Sequence, residues 1–228
     1  MTKKKNSAAR KRAPTPTPPP APSRNGSRMA IWAVAAVVAV LALVGIMSAS
    51  GKWGTGGATA TAGISPEEAK YLGRLLPKGY QGPKVAEVAV YSSTVNMTDI
   101  TAKDEGRSIS IPVGDVTSNK IVKFTYARSG GQAIPLLAYI KPSGKLFVAV
   151  SFCPPCEGEG QRIEPDGTLV CESCGTKRDL ETSVGISGAC KLYPLDELPV
   201  TVASDRISLD KAVLDTWTSQ PKDRPIGG

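Results

Sequence analysis

Histidine is absent from all 228 residues, and its absence removes whole classes of chemistry. No Ser-His or Cys-His pair can activate a nucleophile, no haem can take an imidazole, and neither a mixed Cys/His zinc site nor the two-His iron of a Rieske centre can be built. Acidic residues are missing from positions 1–28, where eight basic ones stand (Lys3, Lys4, Lys5, Arg10, Lys11, Arg12, Arg24 and Arg28). Taking these eight from 28 leaves 20 basic against 20 acidic residues in the rest of the chain. The formal charge of +8 therefore belongs to one tail, and a basic body suited to nucleic acid is excluded.

One long apolar run is present. Met29 to Ala49 is 21 residues without a charge, and a helix of about 20 residues spans the roughly 30 Å hydrocarbon core of a bilayer. Arg28 and Lys52 bracket it, and Trp32 and Trp53 lie near its ends. The basic segment before it predicts a cytoplasmic N-terminus and an extracytoplasmic C-terminal body in the cell membrane. The run is longer than a cleaved signal core and is preceded by 28 residues, which favours an uncleaved anchor. Residues 1–28 thus read as a disordered basic, Pro-rich cytoplasmic tail, 29–49 as a single transmembrane helix and 50–63 as a Gly/Ala/Thr linker.

The body, 64–219, reads as mainly β. Ser65-Pro66-Glu67-Glu68 carries helix-start signals for a short helix ending near Leu76. Strand patterns follow at 108–113, 120–126, 133–140 and 145–152, then at 200–203 and 206–209, with a last short helix at about 210–217. Lys141-Pro142-Ser143-Gly144 predicts a hairpin turn, and Pro112 and Pro135 predict edge or interrupted strands. Ile121, Phe124, Leu137, Tyr139, Leu146 and Val148 are core candidates. The expected architecture is one β-sheet or sandwich-like ectodomain with an irregular Cys-rich lobe at 153–199, zinc-ribbon-like or Rieske-like, followed by a disordered tail at 220–228.

All five cysteines lie in that lobe: Cys153, Cys156, Cys171, Cys174 and Cys190, spaced C-x2-C-x14-C-x2-C with a fifth after 15 intervening residues. Two residues between cysteines let both sulfurs turn toward one tetrahedral ion, and a second such pair completes four-coordination. Pro165-Asp166-Gly167-Thr168 is a turn that returns the chain between the pairs. Cys171-Glu172-Ser173-Cys174-Gly175 resembles a rubredoxin knuckle, in which Gly after the second cysteine admits a backbone donor to sulfur. Cys153, Cys156, Cys171 and Cys174 are the candidate metal ligands. Cys190, in a small-residue loop, is an additional ligand, a neighbouring thiol or a small buried apolar side chain. Iron–sulfur, iron and zinc all accept four thiolates, and disulfides remain an alternative outside the cytoplasm. Glu157, Glu159, Asp166 and Glu172 read as a solvated loop surface. No substrate-converting group is apparent, so the chain reads as a redox or metal-binding protein more than as an enzyme.

The run from Leu137 to Val200 resembles the FtrD-like family, membrane iron–sulfur-containing proteins of which one branch is linked to ferrous-iron uptake. The resemblance is carried by Val148-Ala149-Val150-Ser151-Phe152-Cys153, Cys156, Cys171, Cys174-Gly175, Gly185-Ile186, Gly188-Ala189-Cys190 and Pro194-Leu195, and extends over about 107–215. A weaker similarity links the Gly-rich turn and Pro-Leu exit to the second half of a Rieske domain. The family resemblance implies a Cys-bound iron–sulfur or iron cofactor, electron transfer or iron handling, and a membrane redox or iron-transport partner. Two other readings stay open: an interaction module with a structural zinc site of four cysteines, and a dithiol/disulfide oxidoreductase.

Overall fold

The structure, a computed structural model, describes residues 64–224. The expected tail, transmembrane helix and linker at 1–63 lie outside the described residues. Among the described residues no helix is long and apolar enough to cross a membrane.

The chain enters through α1 (Pro66–Ala69), which Ser65 caps by accepting a hydrogen bond from the Glu68 N–H. The helix is shorter than its pattern predicts: Gly73 turns left-handed at φ 65°, and the chain continues in turns to Leu76. Three two-residue strands follow, β1 (Val95–Asn96), β2 (Thr98–Asp99) and β3 (Lys103–Asp104), then β4 (Ser108–Pro112). A helix that the sequence pattern does not reveal, α2 (Val113–Asn119), precedes β5 (Ile121–Tyr126), β6 (Ile134–Ile140) and β7 (Leu146–Val150). The cysteine region contributes β8 (Gln161–Glu164), β9 (Thr168–Cys171), β10 (Lys177–Asp179) and β11 (Gly185–Ser187). The fold closes with β12 (Thr201–Ala203), β13 (Arg206–Asp210) and α3 (Lys211–Thr216), the last capped by the Asp210 side chain.

These strands form three sheets, ordered β12-β13-β4-β3, β2-β5-β6-β7 and β1-β8-β9-β10-β11. The second sheet is buried on both faces. Val122, Phe124, Leu136, Ala138, Ile140, Leu146 and Val148 join Ile109, Ile111, Ile207 and Leu209 of the first sheet in one core. The alternating residues Ile121, Leu137, Tyr139, Phe147 and Ala149 join Ile163 and Leu169 of the cysteine-bearing sheet in another. Period-2 side-chain alternation thus feeds two cores from one sheet. Burial on both faces is also why β6 reads as a continuous apolar run rather than an alternating one. The cysteine region is therefore a layer of the fold, joined by β1 from upstream, rather than an appended lobe.

Pro135 corrects one expectation. It lies in β6, which is flanked by β5 and β7, yet the ladder continues through Thr125 opposite it. Its carbonyl accepts from Ser151 N–H at 2.9 Å, so its nitrogen also points to that side, just past the last β6–β7 pair at Leu136 and Val150. The missing donor falls where the ladder has already ended. Pro112 closes β4, as its lack of a donor requires. The 141–144 turn closes the β6–β7 hairpin with Gly144 N–H donating to Lys141 O at 2.8 Å.

Of the tail expected to be disordered at 220–228, only 220–224 are among the described residues, and parts of these pack on the body. Gln220 and Arg224 are buried. Arg224 lies between the rings of Tyr71 and Tyr193, 4.0 and 3.9 Å from their centroids, and donates to Leu192 O at 2.6 Å. Gln220 Nε2 donates to Pro194 O and Asp196 Oδ1. Stacking a guanidinium between two aromatic faces gives a polar sequence a place to pack.

Two buried phenols make the fold sensitive to base. Tyr139 O–H donates to Leu180 O at 2.9 Å, and Tyr91 O–H donates to Ile140 O at 2.6 Å. Burial pushes Tyr139 well above the usual tyrosine value and Tyr91 up to about 12. A raised folded value means that this stability is complete below the unfolded value, 10.0 for Tyr91, and is lost as pH rises through about 12. Urea midpoints followed from pH 8 upward should therefore fall above about pH 10. Tyr139→Phe, which leaves Leu180 O unpaired in the core, should cost about 1–3 kcal/mol at neutral pH.

Candidate metal centre

Cys153 and Cys156 lie just after β7, and Cys171 and Cys174 straddle the end of β9. The β8–β9 hairpin brings the pairs together: Gln161 stands opposite Cys171 at its base, and Glu164 opposite Thr168 at the turn. Gly167, left-handed at φ 79°, makes that turn as Pro165-Asp166-Gly167-Thr168 suggests.

The two C-x2-C segments have the same backbone. Cys153 N–H donates to Gly158 O at 2.9 Å, and Cys171 N–H to Thr176 O at 3.0 Å. Glu157 N–H donates to Cys153 O at 2.8 Å, and Gly175 N–H to Cys171 O at 2.9 Å. The residue after the second cysteine is left-handed in both, φ 55° for Glu157 and 68° for Gly175. Backbone N–H groups of Gly158 and Thr176 point at the sulfurs of Cys156 and Cys174, respectively. The expected knuckle at 171–175 is thus present twice, the first copy carrying Glu where the second has Gly. Close packing also fixes Gly158, because a Cβ there would lie 2.5 Å from Ser173 Oγ and 3.1 Å from Cys171 Sγ.

Facing one another, the knuckles bring the sulfurs of Cys153, Cys156, Cys171 and Cys174 all within 4.8 Å, with Cys156 and Cys171 3.8 Å apart. The first cysteine of each pair is buried and the second half-buried. A tetrahedron of about 2.3 Å metal–sulfur bonds has edges of about 3.8 Å. The donor set is all thiol, compact and supplied with backbone donors, and it fits a Cys-bound iron or iron–sulfur cofactor.

Crowded thiols perturb one another. The hydrogen bond shared with Cys171, and then burial, holds the Cys153 thiol far above its usual range, while nearby Arg178 pulls it down. The same bond from Cys153 pushes Cys171 down to about 4 against its burial, helped by the N–H groups of Cys174 and Ser173. Burial pushes Cys156 up to about 12. For Cys174 burial acts upward as the largest single effect, but the Thr176 hydroxyl and N–H together with Cys156 leave it lowered. The downward shifts at Cys171 and Cys174 run toward the thiolate form that a metal ligand requires.

Cys190 is buried in the same cluster as Cys153, with Tyr193. It does not belong to the compact group of four. Its loop is pinned by Cys190 N–H donating to Thr176 Oγ1 at 3.1 Å and by Gly185 N–H donating to Glu68 Oε1 at 2.7 Å. The helix-start pattern assigns Glu68 to its own helix cap; its carboxylate instead holds this loop. Glu157, Glu159 and Asp166 pair with Lys222, Lys123 and Lys177 at the surface, and Glu172 is exposed, in keeping with a solvated loop.

Residue-type reasoning missed Arg178, Thr176 and Tyr193. Arg178 is fully buried, donating to Tyr193 O at 2.9 Å and lying 3.7 Å from Cys153 Sγ. Thr176 Oγ1 is 3.3 Å from Cys174 Sγ. The available signal was strand alternation, which turns Arg178 inward between Lys177 and Asp179.

The knuckle repeat has a measurable consequence. A left-handed non-Gly residue costs about 1–2 kcal/mol, less the extra chain entropy that Gly loses on folding. In a Lys222→Ala background, where the Glu157 ion pair is gone, Glu157→Gly should raise the urea-derived stability by about 1 kcal/mol. Gly175→Ala, which meets open space at its Cβ, should lower it by a similar amount.

Comparison with known proteins follows the same residues. The family model described as membrane iron-sulfur containing protein FtrD-like matches residues 116–220. No curated protein matches the chain. Similar solved structures include a chain from the complex of reduced oxygenase and oxidized ferredoxin in carbazole 1,9a-dioxygenase, 16% identical over 46% of this chain and 93% of that one, with a TM-score of 0.36. The ferredoxin of Sphingomonas yanoikuyae B1 is 20% identical over 39% and 83%, with a TM-score of 0.28. The carbazole 1,9a-dioxygenase ferredoxin of Nocardioides aromaticivorans IC177 is 11% identical over 52% and 98%, with a TM-score of 0.34. Over residues 116–220, which carry all five cysteines, the chain is thus a match to the FtrD-like family of membrane iron-sulfur containing proteins.

Proposed function

We propose that this protein is a membrane-anchored, extracytoplasmic electron-transfer protein whose centre is one iron held by Cys153, Cys156, Cys171 and Cys174. The observation that carries the reading is the compactness of the sulfurs, all within 4.8 Å of one another. A cluster interposes at least two irons and bridging sulfides, so some of its terminal thiolates must stand further apart than the corners of a single-ion tetrahedron. Iron in such a site supplies a one-electron couple, which zinc lacks.

The surroundings suit that use. Cys153 and Cys171 are sealed in while Cys156 and Cys174 reach the surface, giving a short path to a partner. The doubly buried sheet and the β8–β9 hairpin hold the ligands on rigid elements, so little need move when the charge changes. Cys190 serves as a neighbouring thiol against Cys153 rather than as one of the four ligands. Anchoring by 29–49 keeps the centre near the outer membrane face, where the partner is a membrane redox or iron-transport protein.

Two experiments test this. The full chain purified in detergent should contain about one iron per chain, with sulfur-to-iron absorption in the visible that bleaches on one-electron reduction. Serine at any of the four ligand positions should abolish the bands, whereas Cys190→Ser should keep them. A colourless protein with one zinc, or metal-free protein with paired cysteines, would overturn the electron-transfer reading. For topology, protease added outside intact cells should remove an epitope at the C-terminus and spare one at the N-terminus; the opposite pattern would reject the orientation.

A further inference from the structure

Arg178 raises a question that the four ligands do not answer. Its side chain is among the largest fully buried ones in the protein, with no exposed surface. Among the described residues no carboxylate forms an ion pair with it. Its neighbour Asp179 turns instead to the N–H groups of Glu181 and Thr182. The guanidinium donates through Nε and Nη2 to Tyr193 O and through Nη2 toward Cys153 Sγ at 3.7 Å, while Nη1 is buried without a partner.

A buried unpaired cation costs several kcal/mol, so it persists only where an anion is supplied close by. The sulfur group supplies it. Four thiolates around a divalent ion are formally a dianion, and around a trivalent ion a monoanion. Arginine suits this place better than lysine because its charge is permanent and its planar donors reach a carbonyl and a sulfur together.

Resting on the metal–thiolate reading above, we propose that Arg178 is the charge-balancing positioning residue of the centre. It orients Cys153 from behind and stabilises the metal-bound tetrathiolate, the reduced state more than the oxidised one. The preference follows from charge: adding one electron, with no proton, turns the ferric monoanion into the ferrous dianion, and an adjacent cation attracts the second more strongly. The contact toward the anionic group runs through Nη2, which lies 3.7 Å from Cys153 Sγ. The short strand β10 and the Tyr193 carbonyl fix the guanidinium, so the effect is built in before metal arrives.

Arg178→Gln and Arg178→Lys in the full chain separate charge from packing. Removing a supporting residue of this kind typically weakens metal binding about 10–100-fold, and that loss is expected for Arg178→Gln in chelator competition with cobalt or zinc. Its iron-loaded form should have a lower reduction potential, measured against mediators with dithionite as the one-electron donor. Arg178→Lys should recover most of both. A folded Arg178→Gln with wild-type affinity and potential would overturn the role. Should neither variant fold, the wild type decides: loaded with cadmium-113 and labelled with nitrogen-15, it should show coupling between an Arg178 guanidinium proton and the metal through Cys153, and absence of that coupling would refute the contact. A wild-type chain that binds no metal removes the underlying reading as well, which is distinct from a metal-loaded chain indifferent to Arg178.

Discussion

The structure depends on bringing four cysteine sulfurs within 4.8 Å of one another. Left as thiols, they perturb each other in opposite directions, Cys153 upward and Cys171 downward. As thiolates without a cation they would repel. A metal ion resolves both conditions at once, since it displaces protons and joins the anions. Around that requirement the rest follows: paired knuckles to aim the sulfurs, a hairpin to bring the pairs face to face, and a sheet behind them that does not yield.

The rigidity comes from the middle layer. Strands β5, β6 and β7 are packed on both faces, so Cys153, three residues after the end of β7, leaves from one of the best-anchored points in the fold. The opposite pair sits on β9, whose Leu169 and neighbour Ile163 enter the core shared with that same sheet. Each half of the centre is therefore tied to the same layer by apolar contacts. Movement of one knuckle relative to the other would have to break the packing between layers, which protein interiors resist.

Much of this was legible in the sequence. The convergence of the four cysteines, the turn between the pairs, the β6–β7 hairpin, β12, β13 and the capped last helix follow from spacing, turn residues and periodicity, which are local signals. What escaped depended on distant partners. The helix α2 has weak local marks, since its first residue follows a proline and its sequence, VGDVTSN, is poor in strong helix formers. The tail at 220–224 is polar, and only the facing rings of Tyr71 and Tyr193 make a place for Arg224. Glu68 looks like half of a capping box, but its carboxylate is taken by Gly185 N–H. The equality of the two knuckles was half legible, because Glu157 occupies a left-handed position that usually announces itself by glycine.

The two knuckles share a backbone and yet differ in their surroundings, and that difference gives the centre a direction. Behind Cys153 lie Arg178, Tyr193 and the Cys190 thiol, all buried. On the other side Cys156 and Cys174 are half-buried, with the exposed Pro155, Glu172 and Ser173 around them. A positive charge sealed at the back of a site and open sulfurs at the front produce a field along the line from protein to solvent. In the role proposed for Arg178, charge added to the centre would be stabilised from within, where the dielectric is low and the guanidinium is least screened. On the proposed reading, a partner would exchange charge at the other end, where the second cysteine of each pair is half-buried.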